Sequence, residues 1–148
     1  MKIKLRTSRP VVTGAMMIWA GLMAGAAQAA TVDVLVGGVR NTRGHVHVEV
    51  CPEALFLKDC SLIGRAPARV GSVWVRVRNV PAGDYAVQAY HDENDNEKVD
   101  RGLFGIPKEG IAFSNDAPLH RSGPRFDEAR FHVSEPETHI EIKLRHLP

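Results

Sequence analysis

The chain has 148 residues, 19 Lys and Arg against 17 Asp and Glu, and two cysteines. Lys2, Lys4, Arg6 and Arg9 are the only charges of the first thirty residues, so the remainder holds 15 bases against 17 acids and a formal charge of −2. That length leaves room for one domain and not two, and with no basic stripe beyond the leader the chain is not expected to bind nucleic acid.

Residues 1–29 read as a secretory signal peptide. A basic start precedes an uncharged run of apolar and small residues over 11–26, and Ala27-Gln28-Ala29 is a small-x-small cleavage triplet before Ala30. No Arg-Arg pair is present, which favours the general secretory route over the twin-arginine one. No second apolar run approaches the ~20 residues that span a bilayer. Residues 30–148 are therefore expected to form a single periplasmic or secreted domain, with no membrane span after signal removal.

From Thr31 the periodicity is that of strands. T-V-D-V-L-V sets Val32, Val34 and Val36 on one face, and Gly37-Gly38 ends the run. H-V-H-V-E-V-C turns Val46, Val48 and Val50 inward and His45, His47 and Glu49 outward, until Pro52 breaks the ladder. Residues 51–69 read as an excursion closed by a Cys51–Cys60 disulfide, with one helical turn in E-A-L-F-L-K. In an exported chain such a pair is a structural bridge, since a redox pair normally wants the C-x-x-C spacing.

S-V-W-V-R-V-R-N-V places Val73, Val75 and Val77 inward and Trp74, Arg76 and Arg78 outward, so a charge is expected to be ruinous at Val75 and tolerated at Arg76. Pro81-Ala82-Gly83-Asp84 is a tight turn. Y-A-V-Q-A-Y-H returns with Tyr85, Val87 and Ala89 on one face, and the two runs read as a hairpin. A long loop occupies residues 90–115. Phe131 and Val133, then Ile140, Ile142 and Leu144, mark two last inward faces joined by a turn at Glu135-Pro136-Glu137. About seven short strands, one long loop and no long helix specify an all-β fold: a small antiparallel β-sandwich, immunoglobulin-like or transthyretin-like.

The segment V-R-N-V-P-A-G-D-Y-A-V-Q-A-Y resembles the hairpin signature of transthyretin-like and carboxypeptidase-regulatory-like sandwiches. The run HDENDNEKVDRGLFGIPKEGIAFSNDA, with G-P-R-F-D-E-A-R-F and a closing I-E-I-K-L, resembles the bacterial secreted family known as domain of unknown function 2141. The resemblance covers nearly all of the chain beyond the leader and departs at Glu97, where Gly is more usual. It implies an exported β-sandwich and no particular reaction.

The acidic loop is the first candidate site. Asp92, Asn94, Asn96 and Asp100 fall at positions 1, 3, 5 and 9 of a calcium-loop spacing, with the Lys98 carbonyl at position 7. Five acids against two bases over residues 92–101 repel one another unless solvated or neutralised by a cation. Position 6, normally Gly, is Glu97, and position 12, normally a bidentate acid, is Leu103. Gly102 and Asp116 are left to make up the deficit through tertiary structure. The alternative is a solvated acidic turn held by side-chain-to-backbone bonds. His91 is expected to bond a loop backbone and orient Asp92, with Gly102, Gly105 and Pro107 supporting the loop.

Other groups are weaker candidates. His45 and His47, two apart on a strand, can chelate a transition metal or simply be exposed; His132 and His139 also read as outward. Ser114 and Ser122 lack a nucleophile context, and the adjacent Asp127-Glu128 would point to opposite faces of a strand. Phe104, Ile106, Phe113 and Phe126 either cap the open end of the sandwich or form an apolar patch. The chain thus reads as an exported, non-enzymatic binding or accessory domain for an envelope protein or small ligand, with Ca²⁺ as the candidate ion. A structural envelope domain without a ligand is the alternative, and an enzyme ranks last.

Overall fold

The structure, a computed structural model, describes residues 29–134 and 136–148. The expected signal peptide at 1–29 therefore lies outside the described residues apart from Ala29, and Glu135 of the expected last turn also lies outside them. Eight strands follow in order: β1 Ala30–Val39, β2 His45–Cys51, β3 Leu62–Pro67, β4 Gly71–Val80, β5 Gly83–Asp92, β6 Ile111–Phe113, β7 Phe131–Val133 and β8 Glu137–Lys143. A single helical turn, α1 Phe126–Ala129, precedes β7.

The strands form two sheets. One is β4-β1-β8; the other runs β3-β2-β5-β6, with β7 paired to the start of β5. Valines from both sheets, Val32, Val34, Val36, Val46, Val48, Val50, Val75 and Val77, fill the space between them and are 1% exposed or less. The alternation seen in the sequence places each of these faces as expected, because successive side chains of a strand point to opposite sides. β1 extends through Gly37-Gly38 to Val39 rather than stopping there.

Three features differ from the sequence reading. β8 runs parallel to β1, pairing Val34 with Ile140 and Val36 with Ile142, so the fold is not wholly antiparallel. β3 emerges from the tail of the excursion and pairs with β2 from His45–Pro67 to Val50–Leu62. Finally, β4 and β5 are not a hairpin: β4 pairs with β1, and β5 with β2, β6 and β7. Both runs present their apolar faces to the same interior, and Asn79 takes a left-handed φ of 59° as the chain crosses between sheets. Two such faces pack across the sandwich, which buries more apolar area than lying edge to edge.

The outer side of the larger sheet is covered as well. Cys51, Phe56, Cys60, Ala86, Tyr90, Ile111, Phe113, Ala117 and Ala129 form a second buried cluster there. The Cys51–Cys60 disulfide, with Cα atoms 5.6 Å apart, ties the excursion to the end of β2. Phe56 meets Phe113 and Phe126 edge-on at 6.1 and 5.8 Å. β5 is consequently buried on both faces for most of its length. Its even-numbered residues were not recognisable as core because the cover comes from segments remote in sequence.

A candidate cation loop at the end of β5

β5 ends on His91 and Asp92, both buried, and the loop leaves the sheet at Glu93. His91 Nε2 donates to the carbonyl of Arg43 at 2.8 Å, so the ring ties the strand end to the β1–β2 turn and not to the acidic loop itself. The turn can approach because Gly44 carries no side chain: a Cβ there would lie 1.8 Å from the Asp92 carbonyl oxygen. Gly44 also has φ +61°, which an L residue adopts only at a cost.

The loop curls around the Asp92 carboxylate. Its Oδ1 accepts the Asn96 N–H at 3.1 Å and its Oδ2 the Glu97 N–H at 2.8 Å. Asn94 Oδ1 accepts from Asn96 N–H, and Asn96 Oδ1 from Lys98 N–H at 2.9 Å. Asn94 and Asn96 each donate an amide N–H to Asp100, at 2.8 and 2.9 Å. Of the four residues chosen by spacing, Asn94 and Asn96 are thus brought onto Asp100, while the Asp92 carboxylate is taken up by the loop backbone. Glu97 takes the left-handed conformation of position 6, φ 60°, although it is not glycine.

The closing acid is one that spacing did not single out. Glu109 is 5% exposed; its Oε1 accepts the Glu93 N–H at 3.1 Å and its Oε2 the Asp100 N–H at 3.0 Å. It therefore staples the two ends of the loop. Burial, helped by the charges of Asp100 and Asp92, holds its carboxyl above the ordinary glutamate value, against the two N–H bonds that lower it. Leu103, the position-12 residue by counting, is 84% exposed on a separate hairpin, and Asp116 lies exposed beside Arg145. At the loop's closing end it is Glu109, not Asp116, that lies against the loop backbone. Only the fold could reveal this, because Glu109 reaches the site by the return of the chain into β6.

The loop acids divide into two sets. Glu93 pairs with Arg43, Asp95 with His45, and Glu97 with Arg65, all from β2, β3 and the turn before them. Asp92, Asp100 and Glu109 have no ion-pair partner among the described residues. Gly102 and Pro107 support the neck of the following hairpin, where Gly102 N–H donates to Ile106 at 2.7 Å and Arg101 bridges to Pro107. Gly105 supplies a left-handed φ of 74° at its tip.

The remaining candidates separate. His45 and His47 do not share a ligand site: His47 is 6% exposed, stacks on Tyr90 at 4.8 Å and bonds Glu49, whereas His45 turns to Asp95. His47 does lie on the outer face, opposite Val46 and Val48, but it is buried there and not exposed, because the outer side of this sheet is itself covered. His132 and His139 are exposed as expected, beside Asp84 and Asp33. Ser114 is fully buried, accepting the Val87 N–H and donating to the Ala129 carbonyl. Asp127 and Glu128 lie on α1, not on a strand, and Glu128 faces His120. Glu49 lies near both cysteine sulfurs, but these are bonded to each other and offer no thiolate. Phe113 and Phe126 fold into the second cluster, whereas Phe104 and Ile106 stay exposed.

Fold and site together define a small disulfide-bridged β-sandwich bearing one acidic, internally stapled loop. The chain belongs to the family described as an uncharacterized protein conserved in bacteria (DUF2141), which matches residues 34–141. No curated protein and no solved structure matches the chain.

Proposed function

We propose that this chain is an exported, non-enzymatic binding domain of the cell envelope whose acidic loop takes up Ca²⁺. The observation that carries the reading is the division of the loop acids: the outward ones are paired to bases, while Asp92, Asp100 and Glu109 turn to the loop's own N–H groups and amides without a base among the described residues, although their carboxylate oxygens do not all lie within 4.8 Å of one another. Burial and then the charges of Asp100 and Asp92 raise the cost of charging Glu109, and a divalent cation at the loop would relieve it. Asparagine and main-chain oxygens on a curled backbone complete a flexible oxygen cage, which suits Ca²⁺ better than Mg²⁺. Uptake requires the Asn94 and Asn96 amides to turn so that oxygen replaces the N–H now aimed at Asp100. The basic, apolar and small-residue pattern of 1–29 and the disulfide support export. Among the described residues no helix is long and apolar enough to cross a membrane.

Thermal unfolding with Ca²⁺ and with a chelator tests this. A ligand at about 100 times its Kd adds about 2.7 kcal/mol, several degrees for a domain of this size. Asp92→Ala should erase the difference. A second reading, a structural envelope domain with no ligand, is favoured by the same amide bonds to Asp100, which close the loop on itself. Millimolar Ca²⁺ that gives neither heat in calorimetry nor a shift in melting decides for that reading.

A further inference from the structure

Between Asp100 and Glu109 the chain makes a narrow hairpin that serves neither core. Its neck is held by the Arg101–Pro107 bridge, by Gly102 N–H to Ile106 at 2.7 Å and by Lys108 N–H to the Asp100 carbonyl at 2.8 Å. At its tip Phe104 is 98% and Leu103 84% exposed, and Ile106 is 40% exposed below them. Phe104 is held in the left-handed conformation, φ 60°, which costs an aromatic residue about 1–2 kcal/mol. A Cβ added to Gly105 would meet nothing within 4 Å, so the tip stands clear of the protein. Residues 101–108 contain two cations, Arg101 and Lys108, and no acid, and Lys98 flanks them. None of the three forms an ion pair among the described residues. Phe104 and Ile106 also line a groove of about 770 Å³ whose charged walls are mixed: Lys58, Lys98, Arg101 and Arg121 against Glu49, Asp59 and Glu97.

We infer that this hairpin is a membrane-docking element that inserts Leu103 and Phe104 into the interface of an anionic phospholipid bilayer. Two large apolar side chains projecting together from a stiff neck need an apolar medium, and free cations around their base match lipid phosphates. A tip of this kind enters the headgroup–acyl boundary without spanning it. The domain beyond the leader is net acidic, and the cations at the hairpin base stand beside the acidic loop, so the apolar tip supplies most of the attraction and Lys98, Arg101 and Lys108 supply the preference for anionic lipid. The inference does not rest on Ca²⁺ uptake; neutralising Asp92, Asp100 and Glu109 behind the neck would only lessen the repulsion.

Vesicle co-sedimentation tests it, with phosphatidylcholine alone and with added phosphatidylglycerol, each in chelator and in Ca²⁺ so that failure of the ion reading leaves the assay intact. The wild-type protein should bind the vesicles containing phosphatidylglycerol, more weakly as salt rises. Leu103→Ser with Phe104→Ser should weaken binding about a hundredfold. Lys98→Gln with Lys108→Gln should weaken it about thirtyfold, and both variants should melt at or above the wild-type temperature. The inference is overturned if the wild type ignores phosphatidylglycerol in both buffers, or if the serine variant binds as well as wild type. Equal binding to both vesicle types overturns it too. A wild type that ignores lipid but dimerises through the same two side chains in light scattering assigns the tip to a second copy of the chain, which also overturns it.

Discussion

Glu97 is where local strain and charge meet. It holds the left-handed position that lets the loop turn around Asp92, and its carboxylate reaches Arg65 at the surface. An exposed ion pair of this sort is worth at most about 1 kcal/mol, whereas the left-handed conformation costs about 1–2 kcal/mol. Glu97→Gly should therefore stabilise the chelated protein by up to about 1 kcal/mol, seen as a higher urea midpoint, and should tighten Ca²⁺ binding. A lower midpoint would show that the ion pair outweighs the strain.

Glu109 has the opposite economy. Both of its oxygens accept backbone N–H groups, so Glu109→Gln turns an amide donor onto one of them and should cost about 1–3 kcal/mol. Its folded-state value is raised, so in the ion-free protein its own contribution to stability grows as the pH falls through that value. With Ca²⁺ the sign reverses, because protons compete for the same oxygens. The calcium-dependent rise in melting temperature should begin to fade above the ordinary glutamate value of 4.5. A rise that is constant down to that value would remove Glu109 from the site.

At the scale of the strand, β4 shows that an outward face is not a free face. Val75 is 1% exposed between the sheets, and Val75→Asp would bury an unpaired charge and should abolish folding, read as loss of a cooperative unfolding transition. Arg76 lies on the other side, yet its guanidinium holds Asp33 of β1 through two 2.7 Å bonds, and Asp33 is 8% exposed. That bond keeps the Asp33 carboxyl below its ordinary value of 3.8, so its contribution is complete above that value and is lost as the pH falls through the lower folded one. The expected tolerance at Arg76 is thus corrected: Arg76→Asp should lower the melting temperature measurably at neutral pH. Arg78→Asp, on the same face and acting on Asp33 only through its charge and not through a bond, should cost less. Equal losses for both would mean that the Asp33 bond contributes nothing.

For the whole molecule, the disulfide holds the second core to the sheet, since both of its cysteines lie in that core. It anchors the excursion carrying Phe56 against the outer side of the sheet whose inner side packs the sandwich. Closing a ring this small is worth about 2.5–3 kcal/mol. Reduction, or Cys51→Ala with Cys60→Ala, should lower the melting temperature by roughly 10 °C, and the untreated protein should show no free thiol on alkylation. Two alkylated cysteines in protein from an oxidising compartment would contradict the bridge. The faces of the strands and the cysteine pairing were readable because each is a short-range property: side chains alternate along a strand whatever it pairs with, and Val32, Val46 and Val75 declare their side alone. The acidic loop was readable in the same way, since the backbone curls onto Asp92, and Asn94 and Asn96 reach Asp100, all within nine residues. Partners were not. The parallel pairing of β8 with β1, the passage of β4 and β5 into different sheets, the burial of His47, and the arrival of Glu109, Arg43 and Arg65 at the loop all join residues distant in sequence. No local pattern encodes such contacts, because the free energy that selects them is the apolar area buried when the whole chain closes.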